Sequence, residues 1–167
     1  FCLPRYAQIP DIGLYLEQVV RYVNAYLAPL GEPELSPSMV SNYVKKGIIG
    51  HPIKKKYTRE QLAGLIYIVV SKTVLSMENI DTLFKMQRQH CSAAQAYDYF
   101  CEEVENCLPY VFGLTHTIRD LAADAGEEKL LLRSTIIAAV NKMFLDCAFA
   151  VMHQEQALWP DILADLA

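Results

Sequence analysis

Residues 35–61 read LSPSMVSNYVKKGIIGHPIKKKYTREQ. Ser36 is a strong N-cap residue, and Pro37 suits the first helical position, where a missing N–H costs nothing. A short helix is therefore expected to run to Lys46, with Gly47 as the left-handed residue that stops it. The next ten residues are broken by Gly50 and Pro52 and carry Lys54, Lys55 and Lys56 in a row. Thr58 and Gln61 have the spacing of a capping box, which opens another helix. A short capped helix, a basic loop and a second capped helix make up the plan of a winged helix-turn-helix, a nucleic-acid-reading unit.

Charge agrees with this plan. Within 36–60, Lys45, Lys46, Lys54, Lys55, Lys56 and Arg59 face Glu60 alone, a local +5 in a chain whose net charge is −4. A basic island on an acidic body is what phosphate contact needs, because counterions are released where the cations sit. A solvated loop kept basic for solubility would show the same pattern.

Outside this stretch the 167 residues are 53% hydrophobic, enough for a sizeable core in one domain, or one domain with an appendage. The longest uncharged apolar run, Leu62 to Val70, falls well short of the ~20 residues a bilayer crossing takes, so no membrane span is expected. The excess apolar surface points to a buried helix, a dimer interface or a ligand pocket. Phe1 to Pro10 lacks the basic-then-apolar order of a signal peptide. Cys2, Cys91, Cys101, Cys107 and Cys147 are odd in number and spread through apolar segments, which suits reduced thiols in a cytoplasm.

Along the chain, Asp11 can cap a helix reaching about Leu30, with Ile12, Tyr15, Val19, Val23 and Leu27 at helical spacing. In the short helix, Met39, Val40, Tyr43 and Val44 can face inward, leaving Ser38, Ser41, Asn42, Lys45 and Lys46 outward. The helix after Thr58 is apolar nearly all round to about Val74 and should be a buried strut. Ser76 caps a further helix, and Ser92 with Gln95 boxes another that Pro109 should close, with Asp98, Glu102, Glu103 and Glu105 on its outer side. Helical spacing continues over 110–125. From Glu127 to about Gln154 the chain is at its most hydrophobic, with Thr135, Lys142, Asp146 and His153 in one thin polar stripe. Such a helix needs enclosure by its own domain or by a second subunit. The end, ALWPDILADLA, reads as a mobile tail or a docking segment. The fold class is therefore all-α with a small two-stranded wing at 51–57. The expected units are 1–87, a helical dimerisation or effector region over 88–156, and a tail at 157–167.

These residues resemble the DNA-binding head of MerR-type bacterial transcription regulators over about 35–86. Tyr43, Val44, Lys45, Lys46, Gly47, Ile48 and Ile49 match the end of that family's reading helix. Lys55, Tyr57 and Leu62 match the residues after its wing, and Leu75 to Ile80 resembles its next helix opening. The whole chain, with its IPDIGLYLEQVV opening, also resembles uncharacterised Gram-positive bacterial proteins that carry an unknown-function domain with a MerR-like half. There are departures. Ser41 stands where the MerR family usually has arginine, Asn42 where it has an aromatic, and Lys55 replaces a wing arginine, losing bidentate geometry. The single long coiled-coil helix of that family is not expected here. Operator geometry and DNA distortion are not implied.

Sites for other chemistry are not expected. Zinc motifs use tight cysteine pairs, and Cys101 and Cys107 do not form one. His90, His116 and His153 have no nameable partners. No phosphate-cradling glycine loop, nucleophile elbow or metalloprotease helix occurs. The reading that results is a dimeric regulator, not an enzyme, with no cofactor and no membrane partner. Ser38, Ser41, Asn42, Tyr43, Lys45, Lys46, Lys54, Lys55, Lys56, Tyr57 and Arg59 would contact double-stranded DNA, and a small effector could sit among the C-terminal helices. The alternative is a protein-interaction or ligand-sensing module that keeps the winged fold without reading DNA.

Overall fold

In the computed structural model Thr58 closes its box in both directions. Its Oγ1 accepts from the Gln61 N–H at 3.3 Å, and Gln61 Oε1 accepts from the Thr58 N–H at 2.8 Å. The helix started in this way, α3 (Arg59–Ser71), is the axis of the molecule. Leu62, Leu65, Ile66 and Ile68 expose nothing, so α3 is covered all round, as its composition requires. Two helices precede it, α1 (Leu16–Leu27) and α2 (Pro37–Lys45). Three follow, α4 (Met77–His90), α5 (Ala93–Val111) and α6 (Glu127–Met152). Helices α1, α5 and α6 pack on α3 directly, α2 packs on α1, and Phe84 of α4 meets Tyr67 with ring centroids 4.8 Å apart. The structure describes residues 1–31, 34–121, 123 and 126–153, so the 157–167 segment lies outside the described residues.

The caps form where they were expected. Ser36 Oγ accepts from the Met39 N–H, Ser76 Oγ from Asn79, and Ser92 with Gln95 makes a reciprocal pair. Gly47 sits at φ +73 behind α2, the conformation that only glycine adopts without steric cost.

Three local expectations give way to non-local contacts. Asp11 caps nothing. Leu14–Tyr15 instead forms β1, antiparallel to β2 (Lys56–Tyr57), with Leu14 opposite Tyr57 and Tyr15 opposite Lys56. The helix α1 then starts at Leu16, where Gln18 Oε1 accepts from the Tyr15 N–H at 2.9 Å. Pro109 does not close α5, which continues to Val111 because the ladder resumes with Phe112 N–H donating to Leu108 O at 3.0 Å. The helix expected over 110–125 is not there among the described residues. Gly113, at φ +75, takes the left-handed position that ends α5. Asn106 then holds the returning chain, donating to Arg119 O at 2.9 Å and accepting from its N–H at 3.0 Å.

On the acidic side of α5 Glu102 is exposed, but the other carboxylates are not on a solvated face. The N-terminal segment lies over it: Asp98 accepts from the Tyr6 N–H at 2.7 Å, and Glu105 accepts from Leu3 N–H and, through both oxygens, from Arg5 at 2.9 and 2.6 Å. Glu103 is fully buried and accepts from the Tyr99 hydroxyl at 2.7 Å. Burial opposes ionisation of Glu105, but the Arg5 guanidinium and the Leu3 N–H outweigh it and hold the carboxyl below its ordinary value of 4.5. A carboxyl lowered in the folded state contributes stability that is complete above the unfolded value and is lost as pH falls through the folded one. Glu105→Gln should therefore destabilise near pH 7 by about 1 kcal/mol, the low end for a charge-assisted bond whose open side is screened by water. Urea denaturation at neutral pH and below pH 4 should show the gap between wild type and variant closing on acidification.

One core runs through the molecule, and α4 passes straight through residue 87. Burial pushes the Cys101 and Cys107 thiols up to about 12, so both behave as small apolar side chains. Helix α6 buries Leu132, Ile136, Ala139, Val140 and Met143, with Thr135 turned in to donate to Leu131 O. Its other side exposes Leu130, Leu131, Leu145, Phe149, Val151 and Met152. By length and composition α6 could cross a membrane: its most apolar window reaches a mean hydropathy of 1.6, although Arg133, Lys142 and Asp146 interrupt any uncharged run.

Candidate nucleic-acid interface

The candidate surface has two parts joined by a short, pinned connection. The first is the outer side of α2. Val40, Tyr43 and Val44 are buried against the core, which leaves Ser38, Ser41, Asn42, Lys45 and Lys46 exposed. Two of these are used locally. Ser41 Oγ donates to Pro37 O at 3.0 Å, and Ser38 Oγ lies 3.0 Å from Ser36 Oγ. Asn42, Lys45 and Lys46 have no side-chain partner among the described residues, so their donors are available to a ligand.

The connection leaves α2 under tight control. Tyr43 O accepts from both Ile48 N–H and Ile49 N–H, at 3.1 and 3.3 Å, and both isoleucines are buried. Gln61 Nε2 then donates to Gly50 O at 2.7 Å and His51 O at 3.3 Å, tying the same segment to the start of α3. Pro52 has no N–H to offer a ladder, and pairing resumes only at Ile53.

The second part is the lysine turn. Ile53 and Lys56 exchange reciprocal backbone hydrogen bonds at 3.0 and 2.9 Å, closing a two-residue loop with Lys54 at φ 49 and Lys55 at φ 65. Positive φ at both central residues is the pattern of a type I′ turn, which normally selects Asn-Gly because a Cβ is crowded there. Lysine at both positions is locally unfavourable, of order 1 kcal/mol each. Such a cost is tolerated where the side chains serve a purpose. The two ammonium groups extend from the tip with no ion-pair partner among the described residues. Lys56 returns toward the body, its Nζ 5.4 Å from the centre of the Tyr15 ring. The hairpin arm expected before the lysines is thus reduced to one bridge, and β2 finds its longer partner in β1.

Three residues expected at this surface are placed elsewhere. Tyr43 and Tyr57 are buried, at 4% and 5% exposure, and serve as packing. Arg59 donates from Nε to Ile9 O at 2.8 Å, lies 3.9 Å from Asp11 and sits over the Tyr6 ring at 5.7 Å. It clamps the N-terminal segment to α3. The burial of Tyr43 follows from the helical spacing Val40, Tyr43, Val44, which put it inward; the role of Arg59 had no local signal. No group of three histidines, cysteines or carboxylates among the described residues could hold a metal ion.

With this geometry in view, comparison with known proteins gives a family match. A family model described as a domain of unknown function, DUF1836, covers residues 4–100. The chain belongs to the DUF1836 family. No curated protein and no solved structure matches it. The DUF1836 match takes in β1, the lysine turn, all of α1 to α4 and the first turns of α5, so the candidate surface lies inside it while α6 lies beyond it.

Proposed function

We propose that this DUF1836 chain is a DNA-binding transcriptional regulator of the MerR-like winged-helix type. Helix α2 enters the major groove, where Asn42 can pair with a base edge and Lys45 and Lys46 reach guanine or phosphate. The lysine turn is the wing and grips the adjacent backbone with Lys54 and Lys55. The observation that carries this reading is the set of four lysines without a side-chain partner among the described residues, Lys45, Lys46, Lys54 and Lys55, on two points pinned to each other through Tyr43 and Gln61, in a chain otherwise acidic. A lysine pair held at positive φ fits a wing better than a solubilising loop, since solubility needs charge but not that backbone.

The regulator works as a homodimer in the cytoplasm. Leu131, Ala138, Leu145 and Met152 are exposed in one line along α6, an apolar strip that a second copy would cover. Dimeric readers bind paired half-sites. The experiment is a gel shift of the purified protein on DNA from upstream of its own gene and on a scrambled duplex. Tight binding that prefers the first and weakens with salt supports the regulator. Absence of binding at low salt would favour a protein-interaction module, for which the same apolar strip and the locally engaged Ser38 and Ser41 would be the relevant features.

A further inference from the structure

Behind the lysine turn the structure forms a half-open cavity of about 310 Å³, between the Ile48–Ile53 segment, the first half of α3, the end of α4 and the start of α5. A volume near the low end of the range for ligand pockets, about 300–1,000 Å³, suits a small molecule. Its walls are chiefly apolar: Ile49, Ala63, Phe84 and Ala96 line it, with the rings of Tyr67 and Tyr97. Effector binding was expected among the helices of 88–156, and only residues 88–97 of that region, the end of α4 and the start of α5, take part.

Two features give this space its shape and its polar edge. Gly64 lies in the middle of α3, where glycine costs about 1 kcal/mol against alanine. A Cβ there would stand 3.0 Å from Ile49 Cδ1 and 3.8 Å from Phe84 Cζ, so the glycine lets Ile49 sit directly against α3 at the cavity wall. Gln87 lines the same space at 6% exposure, and its carboxamide, which makes no protein hydrogen bond among the described residues, is not sealed from solvent. Its residual exposure lets water, or a ligand displacing that water, serve the amide. At the mouth Glu60 and Arg88 carry opposite charges, and Ile53 is 70% exposed.

We infer that this cavity is a binding site for a small, net-neutral apolar molecule with one amide-like edge, which pairs with Gln87 while its body fills the space over Gly64. The opposite charges of Glu60 and Arg88 leave the mouth with no net charge to favour a cation or an anion, and the donor and acceptor of Gln87 select a group that offers both. Because Ile53 anchors the lysine turn, an occupant that covers Ile53 also restrains the turn. That last step rests on the DNA-reading proposal; the binding site itself does not.

The test uses 1-naphthamide as the probe and 1-naphthoate as its charged analogue, titrated by amide NMR without DNA. The expected result is saturable binding of the amide, stronger than that of the carboxylate, with shifts at Ile49, Ile53, Gly64 and Gln87. Gln87→Leu should weaken the amide about tenfold, the loss of one well-made hydrogen bond. Ala96→Trp, which fills the cavity from its half-exposed side, should abolish binding, and Gly64→Leu should do the same from the α3 wall. Failure of the amide to bind at millimolar concentration, or binding that Ala96→Trp leaves unchanged, would overturn the site. Tighter binding of the carboxylate would overturn the neutral-ligand assignment. DNA binding is measured separately, so either proposal can fail alone.

Discussion

Replacing Lys54, Lys55 and Lys56 with alanine should lower affinity for duplex DNA about tenfold or more at moderate salt, and by the same factor for every sequence. Phosphate contacts carry no base information, so specificity should survive while affinity drops. If all three lysines neutralise phosphates, the slope of log K against log salt should become shallower by up to about 2.7, three contacts at roughly 0.9 each. A second variant separates charge from fold. Lys54→Asn with Lys55→Gly places the residues that a type I′ turn prefers at φ 49 and 65. It should raise stability by about 1 kcal/mol, or roughly 2–4 °C in Tm for a chain of this size, while weakening DNA binding by removing two cations. A variant that is more stable and binds worse would locate the cost and its purpose at the same two residues. Unchanged DNA affinity in both variants would remove the turn from the interface.

The second large effect concerns α6. Leu145→Glu with Phe149→Glu should convert a dimer to a monomer in light scattering and lower affinity for a paired site about a hundredfold, because two linked half-sites then become one. Both side chains are about half exposed within the chain, so the fold itself should change by no more than about 0.5 kcal/mol per site. A wild-type protein that is already monomeric would refute the dimer. Recovery of the wild type in a membrane fraction would give the apolar side of α6 to lipid instead.

Local rules carried much of the fold. Ser36, Thr58, Ser76 and Ser92 each cap the helix expected of them, and Gly47 ends α2, because these signals act within four residues and no distant contact competes. The apolar run of α3 read as a buried strut for the same reason. What local rules missed was set by partners far away in sequence. Leu14 and Tyr15 look helical in isolation, and only pairing with Lys56 and Tyr57 makes them a strand. Glu105 reads as a solvated carboxylate until Arg5 and Leu3 cover it. Over 110–125 apolar spacing suggested a helix, but Gly113 and the Asn106 clamp on Arg119 outweighed it.

The candidate surface divides in the same way. Lys45, Lys46, Lys54 and Lys55 could be picked out from charge alone, and the structure leaves all four exposed. Arg59 could not be told from them, since its Ile9 partner is fifty residues away. The type I′ backbone had no signal either, because lysine is not a residue that announces it. Gly64 and Gln87 were silent too, being an ordinary helix glycine and an ordinary polar position until the cavity joins them.

The central claim is that the outer side of α2 and the lysine turn touch duplex DNA together. Amide NMR of the ¹⁵N-labelled full chain, titrated with an upstream duplex at low salt, tests it directly. The account predicts shifts concentrated at Ser41, Asn42, Lys45, Lys46 and the Ile53–Lys56 turn, reversed by added salt. Shifts confined to α6, or none at low salt, would contradict it.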